Sequence, residues 1–305
     1  MCETPLSAGP LGRANKEKTT VNKIKIDAVN MTNWIIITFV FFSLIIISSC
    51  SAQSDTSQIV IGKSFIYKSN ILHEDRKINL YLPNNYSYSN SAYPVCYLLD
   101  GDYHFEHVTG LVSFLSSMSK IPEMIIVGIG NTDRLRDFSP THTLIGYDGK
   151  TDSVSNASSG GAEMFYEFLS KELIPSIDKN YRTQPFRILV GHSHGGLFAI
   201  YSLLEHPNTF NAFITTSPNL WWDNKAILND TNKISSIVFS QPCILFMSVA
   251  NEGGLQEKSI FTLKQALQNH KAINFEWNTT SYPKDWHGSV SHISVYDGLT
   301  FIYSD

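Results

Sequence analysis

The chain has 305 residues, 43% hydrophobic and 16% charged, an ordinary globular balance with a formal net charge of −4. That charge, with no long run of Lys and Arg, excludes a general nucleic-acid binder. The four cysteines, Cys2, Cys50, Cys96 and Cys243, show no Cys-x-x-Cys or His-rich spacing that would suggest a structural zinc site. Cys96 and Cys243 fall inside apolar runs and read as small core residues rather than a disulfide.

From Trp34 to Ile47 the chain is apolar with few interruptions. The run is short for a membrane span, which needs about 20 residues, and suits a signal-peptide h-region. Lys23 and Lys25 precede it, and Ile47-Ser48-Ser49-Cys50 closes it before a polar stretch. An aliphatic residue, two small residues and Cys resembles the lipobox of bacterial lipoprotein signal peptides. The resemblance implies cleavage before Cys50, lipid on that residue, and a membrane tether outside the cytoplasm. An uncleaved signal anchor is the alternative, and Met31 is a second candidate start. Residues 1–57 are therefore set aside as leader and linker, leaving 58–305, about 250 residues, which suits one large α/β domain.

Within that domain, residues 64–67 and 76–82 alternate apolar and polar side chains, as antiparallel strands with one wet face do. Residues 84–91 are a turn-rich connector. Residues 95–99 form a continuous apolar run, a buried strand stopping at Asp100-Gly101-Asp102, and 124–129 repeats the design. Residues 146–161, rich in Asp, Ser and Gly, read as a surface excursion near the site. Helical spacing of Phe165, Phe168, Leu169 and Leu173 predicts a helix over 162–177. A buried strand over 187–190 leads into a Gly-rich motif and a helix over 196–204. Strands at 213–216, 243–249 and 274–280 and a terminal helix follow. Strands alternating with helices predict an α/β-hydrolase architecture: a mostly parallel central sheet with antiparallel N-terminal strands and helices on both faces.

The motif is Gly191-His192-Ser193-His194-Gly195. A serine hydroxyl is a poor nucleophile until a base takes its proton. A Gly-x-Ser-x-Gly turn between strand and helix exposes the Ser oxygen, so Ser193 is the candidate nucleophile. The backbone N–H of His194, at a helix start, is one candidate oxyanion donor. The loop after residues 95–99 supplies the second, from Asp102 or Tyr103. This fold runs Ser, acid, His along the chain. His287, followed by a glycine, is the candidate base and His292 its rival. Glu252, after the strand at 243–249, is the candidate acid that holds the His tautomer, with Asp285 and Glu257 as rivals. His192 and His194 are expected to shape the pocket. Trp221 and Trp222 are candidate walls of a ligand cleft, as is Trp286. Acyl-enzyme chemistry of this kind calls for no metal or organic cofactor.

These stretches together resemble the esterase D-like esterases among the α/β hydrolases, over most of residues 60–303. The marks are the run Asp75 to Pro83, Tyr97-Leu98-Leu99-Asp100-Gly101, Arg134-Leu135-Arg136-Asp137-Phe138-Ser139-Pro140, the nucleophile motif, Ser217-Pro218-Asn219-Leu220-Trp221-Trp222, and His287-Gly288-Ser289-Val290. The look is closest to the siderophore trilactone esterase branch, which implies a role for His287 and places Arg134 and Arg136 near substrate. Either arginine could bind an anionic or catecholate group, or pair with Asp133 or Asp137. The resemblance also allows a Ser–His dyad without an acid. The expected activity is carboxylic ester hydrolysis of a small-molecule or saccharide ester. An acyltransferase on the same scaffold, or a silent surface-binding lipoprotein, are the alternatives.

Overall fold

The central strands are runs of Val, Ile and Leu because both of their faces are covered. In the computed structural model, which describes residues 57–229, 234, 236–269 and 274–304, Val60–Asp305 makes one compact unit. The expectations for the leader and for Cys50 lie outside the described residues. Eight strands form one sheet in the order β1-β2-β4-β3-β5-β6-β7-β8. They are β1 (Lys63–Ser69), β2 (Glu74–Tyr81), β3 (Tyr93–Leu98), β4 (Ile125–Ile129), β5 (Thr183–His192), β6 (Ala212–Thr216), β7 (Cys243–Ala250) and β8 (Phe275–Tyr282). β2 runs antiparallel to both β1 and β4, and every other pairing is parallel.

The period of two along each strand sorts side chains between two cores. Val95, Tyr97 and Leu99 face one, with Phe165, Phe168, Leu197 and Leu263; Cys96 and Leu98 face the other, with Val108, Val112, Val295 and Leu299. The first core lies under α3 (Ala162–Glu167), α4 (Ile174–Asn180), α5 (His194–Glu205) and α6 (Gly254–Gln268). The second lies under α1 (Gly101–Ser117) and α7 (Ser291–Ile302). Cys96 and Cys243 are buried and free, and burial alone pushes both thiols up to about 12.

Three departures from the sequence reading have physical causes. The helix expected over 162–177 is interrupted by a π-helical stretch, Phe168–Leu173, that ends two residues before Pro175. Proline has no N–H for the helical ladder and its ring crowds the carbonyl four residues back, so the wider turn relieves it. The turn expected at Asp100-Gly101-Asp102 is already the start of α1, with Asp100 as its N-cap at φ 53°. Arg76, at the start of an expected half-wet strand, is fully buried.

Burial of Arg76 is compensated in full view of its carboxylate partners. It pairs with Glu74 and, at 2.7 Å, with Asp137, and donates at 3.0 Å to the carbonyl of Gly130. Its guanidinium also lies 5.4 Å from the ring centre of Phe165. Replacing it with Met leaves Asp137, itself fully buried, with only Arg136. Arg76→Met should lower unfolding free energy by about 3 kcal/mol, because removing one partner strands a buried charge. Urea denaturation with an unchanged slope measures it, and a loss below about 1 kcal/mol refutes it.

Candidate active site

Ser193 sits where β5 ends and α5 begins, at φ 61° and ψ −117°. A non-glycine residue there is strained by about 1–3 kcal/mol and persists only because its surroundings hold it. Its N–H donates to Thr216 O at 2.9 Å, and its carbonyl accepts from the N–H groups of Leu197 and Asn219 at 2.9 and 3.0 Å. Gly191 is required for the turn to close, since a Cβ there would stand 2.2 Å from the carbonyl oxygen of Gly195.

The Ser193 hydroxyl donates to His287 Nε2 at 2.9 Å, and His287 Nδ1–H donates to Glu252 Oε1 at 2.5 Å. Glu252 stands two residues past the end of β7, and His287 lies in the loop between β8 and α7. Among the sequence candidates these three are brought together. The rivals are occupied elsewhere. Asp285 accepts from Ser289 Oγ, Glu257 accepts from the Gly253 N–H, and the His292 ring lies 5.5 Å from that of His107 on the α1–α7 side.

His194 opens α5, so its N–H has no carbonyl four residues back to serve. Asp102 is the second residue of α1, and its N–H is likewise outside the helical ladder. The N–H of Tyr103, the other candidate, is spent on Asp100 O at 2.9 Å. The Asp102 carboxylate turns away to Lys77 Nζ at 2.7 Å, leaving only the backbone for the site.

The two arginines enter different networks: Arg136 takes the expected ion pair with Asp137, and Arg134 pairs instead with Asp100. Arg136 donates to Glu74 and Asp137, at 2.9 Å to each, as part of the Arg76 network. Arg134 makes a two-pronged pair with Asp100, Nε to Oδ1 at 2.6 Å and Nη2 to Oδ2 at 2.9 Å. Trp222 does not line a cleft as its sequence position suggested. It is 3% exposed, its Nε1–H donates to Thr141 O at 3.1 Å, and it belongs to the core rather than a cleft wall.

Trp221 lies at the surface of a hollow of about 230 Å³ shared with Tyr147, Asn219, Glu252, Gln256 and His287. The ring of Tyr147 meets that of Trp221 edge to face at 4.9 Å. Sequence reading placed the 146–161 excursion near the site without singling out Tyr147; an aromatic between Gly146 and Gly149 was the only signal. Trp286, next to His287, is 69% exposed.

His192 and His194 flank the nucleophile in neutral form. His192 Nε2–H donates to the carbonyl of His287 at 2.8 Å, and the Asn219 amide donates to His194 Nδ1 at 2.8 Å. Burial first, then His287 and His104, hold His192 down to about 3; burial first, then Arg134, does the same for His194. In an unfolded chain these imidazoles titrate near 6.5. Between about 6.5 and 3 the unfolded chain therefore binds more protons, so this stability is full above about pH 6.5 and falls as pH drops. The urea midpoint should be lower at pH 5 than at pH 7, and His194→Asn should flatten that slope. An unaltered slope in the variant would remove His194 as its source.

A serine hydrogen-bonded through histidine to a carboxylate, on a strained strand-to-helix turn in this sheet, defines a serine hydrolase of the α/β-hydrolase class. The family described as "Putative esterase" matches residues 69–269, and the chain belongs to it. An uncharacterized protein of Bacillus subtilis, YbbA, is 30% identical over 207 residues, covering 65% of this chain and 78% of that protein. The ferri-bacillibactin esterase BesA of the same organism is 32% identical over 158 residues, 48% of this chain and 55% of BesA. An IroE-like serine hydrolase from Shewanella oneidensis superposes with a TM-score of 0.76 at 36% identity, covering 79% of this chain and 80% of that one. The chain is a serine esterase.

Proposed function

We propose that this esterase opens the ester bonds of a siderophore lactone through an acyl-enzyme, with Ser193 as nucleophile, His287 as base and Glu252 as the acid that orients it. The Ser193–His287–Glu252 chain of hydrogen bonds carries the mechanism. The similarity to the bacillibactin esterase supports the substrate class.

As Ser193 Oγ attacks the ester carbonyl carbon, its proton passes to His287 Nε2. The oxygen of the tetrahedral intermediate takes hydrogen bonds from the N–H groups of His194 and Asp102. The intermediate collapses as the carbon–oxygen bond breaks, and His287 returns the proton to the leaving alkoxide. Water then attacks the acyl-enzyme, giving its proton to His287, and Ser193 is released with the acid product. The Glu252 carboxylate stabilises the imidazolium through Nδ1–H. The His287 side chain is 39% exposed, so water reaches the acyl-enzyme, which favours hydrolysis over transfer to another alcohol. One acyl arm would lie against Trp221 and Tyr147 while the rest of the lactone stays in solvent.

Residues 58–305 should hydrolyse a catecholate trilactone faster than a feruloylated sugar or short p-nitrophenyl esters. Ser193→Ala and His287→Ala should each lower kcat by about 10³-fold or more, and Glu252→Gln by less than either. Activity surviving Ser193→Ala would exclude the nucleophile; preference for the feruloylated sugar would exclude the lactone. We further propose a lipid anchor on Cys50, on the resemblance of residues 47–50 to a lipobox. The full chain expressed in a bacterium should partition into detergent and incorporate labelled palmitate, and Cys50→Ser should do neither.

A further inference from the structure

Two of the strands that carry the site, β3 and β5, are neighbours in register, with Leu98 opposite Val190 and the Leu99 N–H donating to Val190 O at 3.0 Å. Immediately beyond, both chains turn sharply. Asp100 is at φ 53° and Ser193 at φ 61°. The two backbone donors proposed for the oxyanion lie just past these turns, Asp102 at the start of α1 and His194 at the start of α5. The strands no longer bond to each other at that level, so another group must set the distance between the donors.

Arg134, near the start of the short helix α2 (Arg134–Phe138), spans that gap. Its Nε and Nη2 hold both oxygens of Asp100, and Nη2 also donates to the carbonyl of His192 at 3.2 Å. Each anchor stands two residues before a donor, Asp100 before Asp102 and His192 before His194. The pair is well built. Asp100 is 5% exposed, and its Oδ1 takes a further bond from Asn131 Nδ2 at 2.6 Å. The guanidinium lies over the Phe138 ring, 5.4 Å from its centre. Burial alone would raise the Asp100 carboxyl, but the hydrogen bonds and charge of Arg134, with Asn131, leave it below the usual carboxylate range. The carboxylate is thus ionised and the clamp closed over the working pH.

We propose that Arg134 is a positioning residue for the oxyanion hole: by tying Asp100 to the His192 carbonyl it sets the spacing of the Asp102 and His194 N–H groups. This rests on the acyl-enzyme reading above. A planar fork with fixed geometry can do this, whereas a lysine ammonium supplies charge without the two-pronged hold. The alternative role, recognition of an anionic substrate, would use Nη1, which makes no hydrogen bond among the described residues.

The two roles separate in kinetics. Wild type, Arg134→Lys, Arg134→Ala, Asp100→Asn and Ser193→Ala are assayed on p-nitrophenyl acetate, which is neutral, and on mono-p-nitrophenyl succinate, which is anionic. Thermal unfolding identifies any variant that has lost its fold. The expected result is a kcat about 10- to 100-fold lower on both esters in every folded Arg134 and Asp100 variant, with KM little changed. Affinity for phenylboronic acid, which forms a tetrahedral adduct on serine, should fall in parallel, and millimolar guanidinium should restore part of the kcat of Arg134→Ala. A rise in KM confined to the anionic ester, or kcat unchanged on both, overturns the positioning role. If Ser193→Ala keeps its activity, the acyl-enzyme reading itself fails, so the two failures are told apart.

Discussion

The close passage of β5 over the first turn of α5 is the constraint from which the rest of the site follows. Gly191 lies so near the carbonyl of Gly195 that no side chain fits between them. The chain can make this turn only by holding Ser193 in a conformation that non-glycine residues avoid. The strain, about 1–3 kcal/mol, is offset by bonds at both ends of the same residue, to Thr216 on β6 and from Leu197 and Asn219. In this conformation the hydroxyl meets His287 Nε2 at 2.9 Å, with His194 next in the chain at the start of α5.

Parallel pairing then delivers the other parts. Because β3, β5, β6, β7 and β8 run in one direction, their carboxyl ends share one edge, which is where ligands bind in open α/β sheets. Ser193 and His287 are 94 residues apart in the chain and Glu252 and His287 are 35 apart, yet each lies just past a strand end. The remaining lever is how firmly those strand ends are tied together. Asn251 N–H donates to Asp285 O at 3.0 Å and fastens the acid loop to the base loop. His192 Nε2–H holds the carbonyl of His287 from the nucleophile side. The base is thus gripped from two directions, by residues whose own positions depend on β5 and β7.

What could be read in the sequence was what local pattern or chain order decides. The turn at Ser193 is flanked by a strand and a helix in consecutive residues, and Glu252 and His287 fall where this fold's order requires them. The sheet's alternation of layers was legible for the same reason, since each strand carries its own period. Features decided by distant partners were hidden. Arg76 reads as a wet strand residue because the carboxylate of Asp137 that neutralises it comes from α2. Trp221 and Trp222 are adjacent and alike in composition. Yet Trp222 is buried in the core, while Trp221 only packs against it and lines the hollow beside His287. The sequence reading names no helix between 100 and 124, where all of α1 runs; its N-cap, Asp100, sits at φ 53° and gives its side chain to Arg134 instead of to the helix.

The electrostatics of the site explain why so many imidazoles can crowd one serine. The rings of His192 and His287 are 4.7 Å apart, and His104 lies 5.6 Å from His192. A charge on either neighbour would oppose the imidazolium that must form on His287. Burial lowers the pKa of His104 as well as of His192 and His194, so the neighbours stay uncharged and act through hydrogen bonds and shape. His287 itself keeps a side chain 39% exposed, while Glu252 is only 11% exposed with its second oxygen enclosed and unbonded. The carboxylate beside the base is therefore held in a poorly solvated position, with the Nδ1–H of His287 its one hydrogen-bond donor among the described residues. A carboxylate so placed interacts most strongly at the moment the ring becomes positive, which is when the reaction needs it.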